Sequence, residues 1–338
     1  MRLALILPAQ IEGWGGVQRF GACLEPALAS IAEVSAYRLH PAPGASRLAA
    51  LVTGVRDLGR DHRRQHFDAV VSTFHWPPRL LGVPMVGVVH DLRRRAGARS
   101  GSLAAHLERA VLRTWDLVLV PTEHVRDEVA SFVGERRIAV IGEGTDHLDH
   151  LAPPPAERRL VVVLGGRAPH KRVELGVRAA AEAVARLDAE GVVLGAAPHL
   201  RMGPRIRVLE VPADEEIAEV LSRARVVLAP SRYEGFGLAA GEALRLGAPV
   251  VFAADGPLGG LVGSGGLPSA PSASAMADAT VAAWRQHDAL SVAARDAVRR
   301  LTWDATARRI VREVGFLVQY PPLHARKTVR GLFRLRPR

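Results

Sequence analysis

Two stretches of this chain share one plan, and that plan narrows what it can fold into. Leu3-Ala4-Leu5-Ile6-Leu7 is an unbroken apolar run, followed by a loop ending Gly13-Trp14-Gly15-Gly16 and a helical pattern from Val17 to Ala29 in which Pro26 is expected to place a kink. Leu160-Val161-Val162-Val163-Leu164 is a second such run, followed by Gly165-Gly166-Arg167-Ala168-Pro169-His170-Lys171 and a helix to about Leu187. A strand that is apolar at every residue is buried on both faces, as in a parallel sheet. Strand, glycine turn and helix make the first half of a βαβ unit. Two such starts call for two parallel sheets.

The intervening sequence fills them in. Ala32–Tyr37, Asp68–Ser72, Pro84–Val89, Leu117–Val120 and Ile138–Ile141 read as strands. Ala45–Gln65 and Leu103–Leu112 read as helices, and Thr122 as the N-cap of a helix reaching Phe132. After the second start, Val192–Leu194 and Ile206–Leu209 are weaker strands, Asp214–Leu221 a helix and Val226–Ala229 a strand. The prolines of Leu151-Ala152-Pro153-Pro154-Pro155-Ala156 stop helix and central strand alike, so the segment reads as a linker. The reading is a doubly wound α/β chain with domains at 1–152 and 159–300. Its 338 residues exceed what a single core usually spans, about 250–300. Gly256–Ser274 reads as loop, with helices near Ala275–Gln286 and Trp303–Val314.

Composition excludes some classes. One cysteine, Cys23, rules out an internal disulfide and fits a reducing compartment. No apolar run approaches the roughly 20 residues of a membrane span, so a cytoplasmic protein is expected. The net charge of +11 asks for an anionic partner, or reflects an arginine-rich solvated surface. Arg93, Arg94, Arg95 and Arg99 form one basic cluster. The tail at 317–338 forms another, where Arg326, Lys327, Arg330, Arg334, Arg336 and Arg338 alternate with Leu332, Phe333 and Leu335. Both could rest on an anionic membrane, and a solvated loop and terminus remain the plainer alternatives. Nucleic acid is not expected, because aromatics make up 5% of the chain and are not interleaved with the arginines.

The chemistry concentrates in Pro230-Ser231-Arg232-Tyr233-Glu234-Gly235-Phe236-Gly237-Leu238-Ala239-Ala240-Gly241-Glu242-Ala243-Leu244, between the strands Val226–Ala229 and Val250–Phe252. A glycine turn opening a helix offers unpaired N–H groups and a favourable dipole to an anion. Glu234 and Glu242 add two carboxylates that can accept from hydroxyls. Gly15 and Gly16 let a ligand approach the backbone. His75, His90 and Asp91 fall at the carboxyl ends of strands, where open α/β sheets bind ligands.

These residues resemble a family. Pro230-Ser231-x-x-Glu234-Gly235-Phe236-Gly237-Leu238 through Glu242, then Leu246-Gly247-x-Pro249-Val250-Val251, is similar to the E-x7-E motif of retaining glycosyltransferases of family 4, the group 1 type. Gly15-Gly16-Val17, Val88-Val89-His90-Asp91-Leu92, Pro121-Thr122-Glu123-His124, Gly144-Thr145-Asp146 and Leu301-Thr302-Trp303-Asp304-x-Thr306-Ala307 resemble its other landmarks, covering roughly residues 1 to 316.

The resemblance implies a GT-B fold, two doubly wound Rossmann-like domains facing each other across a cleft. A C-terminal helix at about 302–316 would pack back on the first domain. It implies a nucleotide-diphosphate sugar as donor, a hydroxyl acceptor, retention of anomeric configuration, and neither metal nor cofactor. By the same likeness Glu242 binds the ribose and Glu234 the donor sugar. Phe236, Gly237 and Leu238, with Gly15 and Gly16, contact diphosphate or sugar. Arg167 and Lys171 neutralise the leaving diphosphate, and His90 contacts the sugar near the reacting carbon. The acceptor could be a lipid-linked or cell-envelope glycan precursor, or a soluble small molecule such as a natural product. A non-catalytic GT-B-like membrane-associated protein is the other alternative. Two departures stand out. The family lysine follows the arginine by five residues, whereas Lys171 follows Arg167 by four, and Gly256-Pro257-Leu258-Gly259-Gly260-Leu261-Val262 lacks the usual glutamate before its valine.

Overall fold

Strand β1 (Arg2–Pro8) buries Leu3 through Leu7 completely, as its unbroken apolar run requires. It lies between β2 (Glu33–Leu39) and β3 (Ala69–Ser72), with Leu5 in register with Ala36 on one side and Val71 on the other. Strands β4 (Met85–Val88), β5 (Leu117–Val120) and β6 (Ile138–Val140) extend the sheet, which is parallel throughout, in the order β2-β1-β3-β4-β5-β6. The computed structural model describes residues 1–8, 15–39, 47–75, 77, 79, 82–92, 103–134, 137–153, 157–197, 200 and 202–320. The basic cluster at Arg93–Arg99, the Gly13-Trp14 pair and the tail beyond Tyr320 lie outside these residues.

Helices cover the sheet. Gly16–Ala29 is one continuous helix with Pro26 inside it. Thr122 caps the helix Glu123–Val133 as its sequence position suggests, its Oγ1 accepting from the Val125 N–H at 3.3 Å. The chain returns to this sheet at its C-terminal end. The helix Trp303–Gln319 buries Trp303, Ile310, Val314 and Leu317. The Trp303 ring meets Phe20 edge-on at 5.5 Å, and Arg309 donates to the Ile141 carbonyl at 3.0 Å.

The second sheet runs β12-β11-β10-β7-β8-β9 and is also parallel. Its strands are β7 (Leu160–Leu164), β8 (Glu190–Leu194), β9 (Ile206–Leu209), β10 (Ala224–Ala229), β11 (Val250–Ala253) and β12 (Gly266–Ser269). The polypeptide divides into two compact units, Met1–Glu143 with the segment from Trp303, and Gly144–Thr302. The division falls before the proline linker, because Gly144–Ala152 packs on the second sheet. Leu148 sits in that core at 1% exposure, and the Thr145 N–H and Oγ1 both donate to the Leu301 carbonyl, at 2.9 and 3.1 Å.

Within Gly256–Ser274 the structure forms the short helix Gly259–Val262 and the strand β12 rather than loop alone. Pro268 hides that strand from a pattern reading, and β12 tolerates it because it is an edge strand. A helix at His287–Val298, absent from the sequence reading, packs beside the Leu238–Arg245 helix.

Candidate active site

In the second unit, neighbouring β7 and β10 lead to opposite sides of the sheet, β8-β9 and β11-β12. That makes their carboxyl ends the switch point at which doubly wound sheets bind ligands. The loop after β7 and the loop after β10 meet there. The Arg232 N–H donates to the His170 carbonyl at 2.8 Å, and His170 meets Tyr233 edge-on. This brings Lys171 to Glu234: Nζ donates to Oε1 at 2.6 Å in a partly buried ion pair. Arg167 is exposed on the same loop.

Arg172, which follows Lys171, is held in the left-handed region at φ 48°. Its guanidinium grips Asp255 through two parallel hydrogen bonds of 2.8 Å. The Arg172 hydrogen bond and charge, with Arg232 nearby, hold the Asp255 carboxyl below its usual range against the opposing effect of desolvation. No spacing rule singled Arg172 out, but a bulky residue at positive φ marks a constrained turn.

Gly237 opens the helix Leu238–Arg245 at φ 90°, and a Cβ there would overlap Leu258 Cδ2, so glycine is required on two counts. The first-turn N–H groups of that helix form an anion-accepting end, and Phe236 is buried beneath it. Glu242 lies on the same helix. It is 5% exposed, and its Oε1 pairs with His147 Nε2 at 2.9 Å. The segment carrying His147 is fastened along the same helix: Asp149 accepts from Arg245 at 2.6 Å, and a Cβ on Gly241 would lie 2.7 Å from Thr145 Cγ2.

In the first unit, Gly15 and Gly16 start the Gly16–Ala29 helix, beyond the end of β1 at the β1/β3 switch point. The Gln18 side chain accepts from the Gly15 N–H at 2.6 Å. Nothing lies within 4 Å of a Cβ placed on Gly16, so packing does not demand a glycine there. His90 follows β4 and is buried at 8% exposure. Its Nε2 bonds the Thr73 carbonyl at 2.9 Å and its Nδ1 bonds Glu143 Oε1 at 2.9 Å. The carbonyl can only accept, so Nε2 carries a proton. Burial works against charge on this ring. The hydrogen bond and charge of Glu143, the Thr73 carbonyl and Asp91 outweigh it, and the His90 pKa lies above the usual histidine value. Both nitrogens are thus engaged with protein acceptors. His75, the other strand-end histidine, pairs with Glu108 at 2.6 Å.

Glu143 and His147 escaped the sequence reading because their partners lie 53 and 95 residues away. Their one signal was position, Glu143 just before and His147 just after Gly144-Thr145-Asp146, which follows β6. Among the described residues no group of three or more His, Cys, Asp or Glu is arranged to hold a metal ion. The cavity lined by Arg159, Glu190, Arg205 and Arg207 lies at the amino ends of β7 to β9, the opposite end of the sheet from these glutamates.

Sequence profiles match both units. The family described as Glycosyltransferase Family 4 matches residues 17–147, and that described as Glycosyl transferases group 1 matches residues 158–286. The chain belongs to the group 1, family 4 glycosyltransferases. Among curated relatives, the D-inositol 3-phosphate glycosyltransferase of Mycolicibacterium smegmatis is 28% identical over 253 residues, 63% of this chain and 58% of that protein. The enzyme of that name from Gordonia bronchialis is 28% identical over 274 residues, 67% of this chain and 59% of that protein. The chain therefore spans under two thirds of the length of these relatives. Sucrose-phosphate synthase from Thermosynechococcus elongatus superposes with a TM-score of 0.73 at 20% identity, over 94% of this chain and 98% of that one. WaaG, a glycosyltransferase of lipopolysaccharide biosynthesis, gives 0.68 at 14% over 93% and 99%, and Anabaena Alr3699/HepE solved with UDP-glucose gives 0.67 at 15% over 94% and 100%. The two parallel six-stranded sheets are those of the GT-B fold.

Proposed function

We propose that this family 4 chain is a retaining glycosyltransferase that moves a hexose-type sugar from a nucleoside-diphosphate sugar to an acceptor hydroxyl. The observation that carries the reading is the Lys171–Glu234 pair, 2.6 Å apart at the β7/β10 switch point. A carboxylate that accepts from sugar hydroxyls sits beside a cation that neutralises a departing diphosphate. The amino end of the Leu238–Arg245 helix supplies N–H groups to the phosphates, Arg167 adds charge, and Glu242 accepts from the ribose. These cations take the part a metal ion plays elsewhere, and the reaction needs no cofactor. UDP-glucose, held by the Anabaena neighbour, is the first donor to try. The net charge of +11 and the phosphorylated acceptor in the relatives' name favour an anionic acceptor, lipid-linked or free.

The test is release of nucleoside diphosphate from UDP-, GDP-, ADP- and dTDP-sugars in the presence of candidate acceptors, with NMR of the product's anomeric proton. One donor should turn over with retention, and Lys171→Ala should lower kcat by about 100-fold or more, the scale of losing one preorganised charge contact to the transition state. Turnover unchanged in Lys171→Ala would remove the assignment.

A further inference from the structure

We propose that His147 is a positioning residue for nucleotide binding, fixing the Glu242 carboxylate that receives the ribose. The proposal rests on the donor-site reading above and adds a residue that its motif does not contain. Glu242 is nearly buried on the Leu238–Arg245 helix, and a buried carboxylate needs a hydrogen-bond donor to satisfy it and hold one rotamer. His147 Nε2 is that donor at 2.9 Å, and both side chains are under a tenth exposed.

The histidine is itself held rigidly. Thr145 on one side is tied twice to the Leu301 carbonyl, Leu148 on the other is in the core, and Asp149 is clamped by Arg245, one helical turn beyond Glu242. Oε1 of Glu242 thus has a fixed partner, which holds the carboxylate in one orientation. A carboxylate preorganised in this way binds a diol more tightly than one that must first order itself.

A purely structural rung in this ladder would affect stability alone, so the deciding readout is ribose recognition. Affinities are measured by calorimetry on the full chain, using whichever of UDP, GDP or ADP binds the wild type, together with its 2′-deoxy counterpart. His147→Ala should weaken the ribonucleotide about tenfold, the equivalent of about 1.4 kcal/mol, and shrink its preference over the deoxy form. His147→Gln, whose amide can reach Glu242, should recover most of the loss. Glu242→Gln should weaken binding, and adding His147→Ala to it should weaken it no further. Asp149→Asn loosens the neighbouring rung and should lower Tm, while weakening the ribonucleotide by less than His147→Ala does. If Glu242→Gln weakens binding while His147→Ala binds as wild type, the inference is overturned and the donor site stands. If Glu242→Gln binds as wild type, the donor-site reading falls and takes the inference with it.

Discussion

At the scale of single residues, the molecule repeatedly solves one problem: how to fix a carboxylate that is largely withdrawn from water. Glu234 has Lys171, Glu242 has His147, and Glu143 has His90. The first pair was within reach of the sequence, because both members lie in short motifs flanking strands. The other two were not, because a side-chain partner across the fold leaves no periodicity behind. The His90 pair has a pH signature. Its pKa is raised in the folded chain, so its contribution to stability is complete below about pH 6.5, the unfolded value, and is lost as pH rises through the folded value. Glu143→Gln removes the largest raising influence. It should lower stability by on the order of 1–3 kcal/mol near pH 6, with the gap to wild type narrowing at higher pH, as followed by denaturant unfolding across pH. A gap independent of pH would mean His90 is neutral. His287 runs the other way. Burial lowers its pKa against the raising effect of the Arg225 carbonyl, so its contribution is complete above about pH 6.5 and is lost as pH falls through the folded value.

At the scale of elements, central strands of both sheets were legible because burial on both faces writes an unbroken apolar run; Leu117–Val120 and Leu160–Leu164 fall where the pattern put them. The edge strand β12 was not, since an edge position relaxes the demands that make a strand recognisable and admits Pro268. The helix His287–Val298 begins directly after another helix and lacks a side-chain cap at Gln286, so no start signal separates the two. Turns that carry the site are constrained more tightly than their sequences suggest. Gly237→Ala forces a Cβ onto Leu258 and an alanine into φ 90°, and should destabilise by about 1–3 kcal/mol in denaturant unfolding. A change within 0.5 kcal/mol would mean the turn relaxes freely, since about that much is typical of an unconstrained surface site. Arg172→Gly relieves the left-handed backbone but removes the Asp255 clamp, so stability should move little while the Lys171 loop loosens, seen as faster amide exchange at residues 168–172.

At the scale of the whole molecule, two Rossmann-type units share one chain, and the boundary between them lies at Glu143–Gly144 rather than in the proline run. Prolines advertise a linker, but burial of Leu148 and the bonds of Thr145 decide which unit owns the segment. Among the described residues no helix is long and apolar enough to cross a membrane. The basic residues beyond Tyr320 are proposed to bring the chain to anionic lipid, and deleting 321–338 should reduce its pelleting with phosphatidylserine vesicles several-fold. Equal pelleting would assign that stretch no membrane role. The central claim, a nucleotide-sugar site on the second unit, is tested most directly by thermal denaturation with UDP, GDP, ADP and dTDP. One of them at about 100 times its Kd should stabilise the wild type by about 2.7 kcal/mol, and the shift should collapse in Glu242→Gln. A chain that none of the four stabilises, or a Glu242→Gln variant that responds as wild type does, would contradict it.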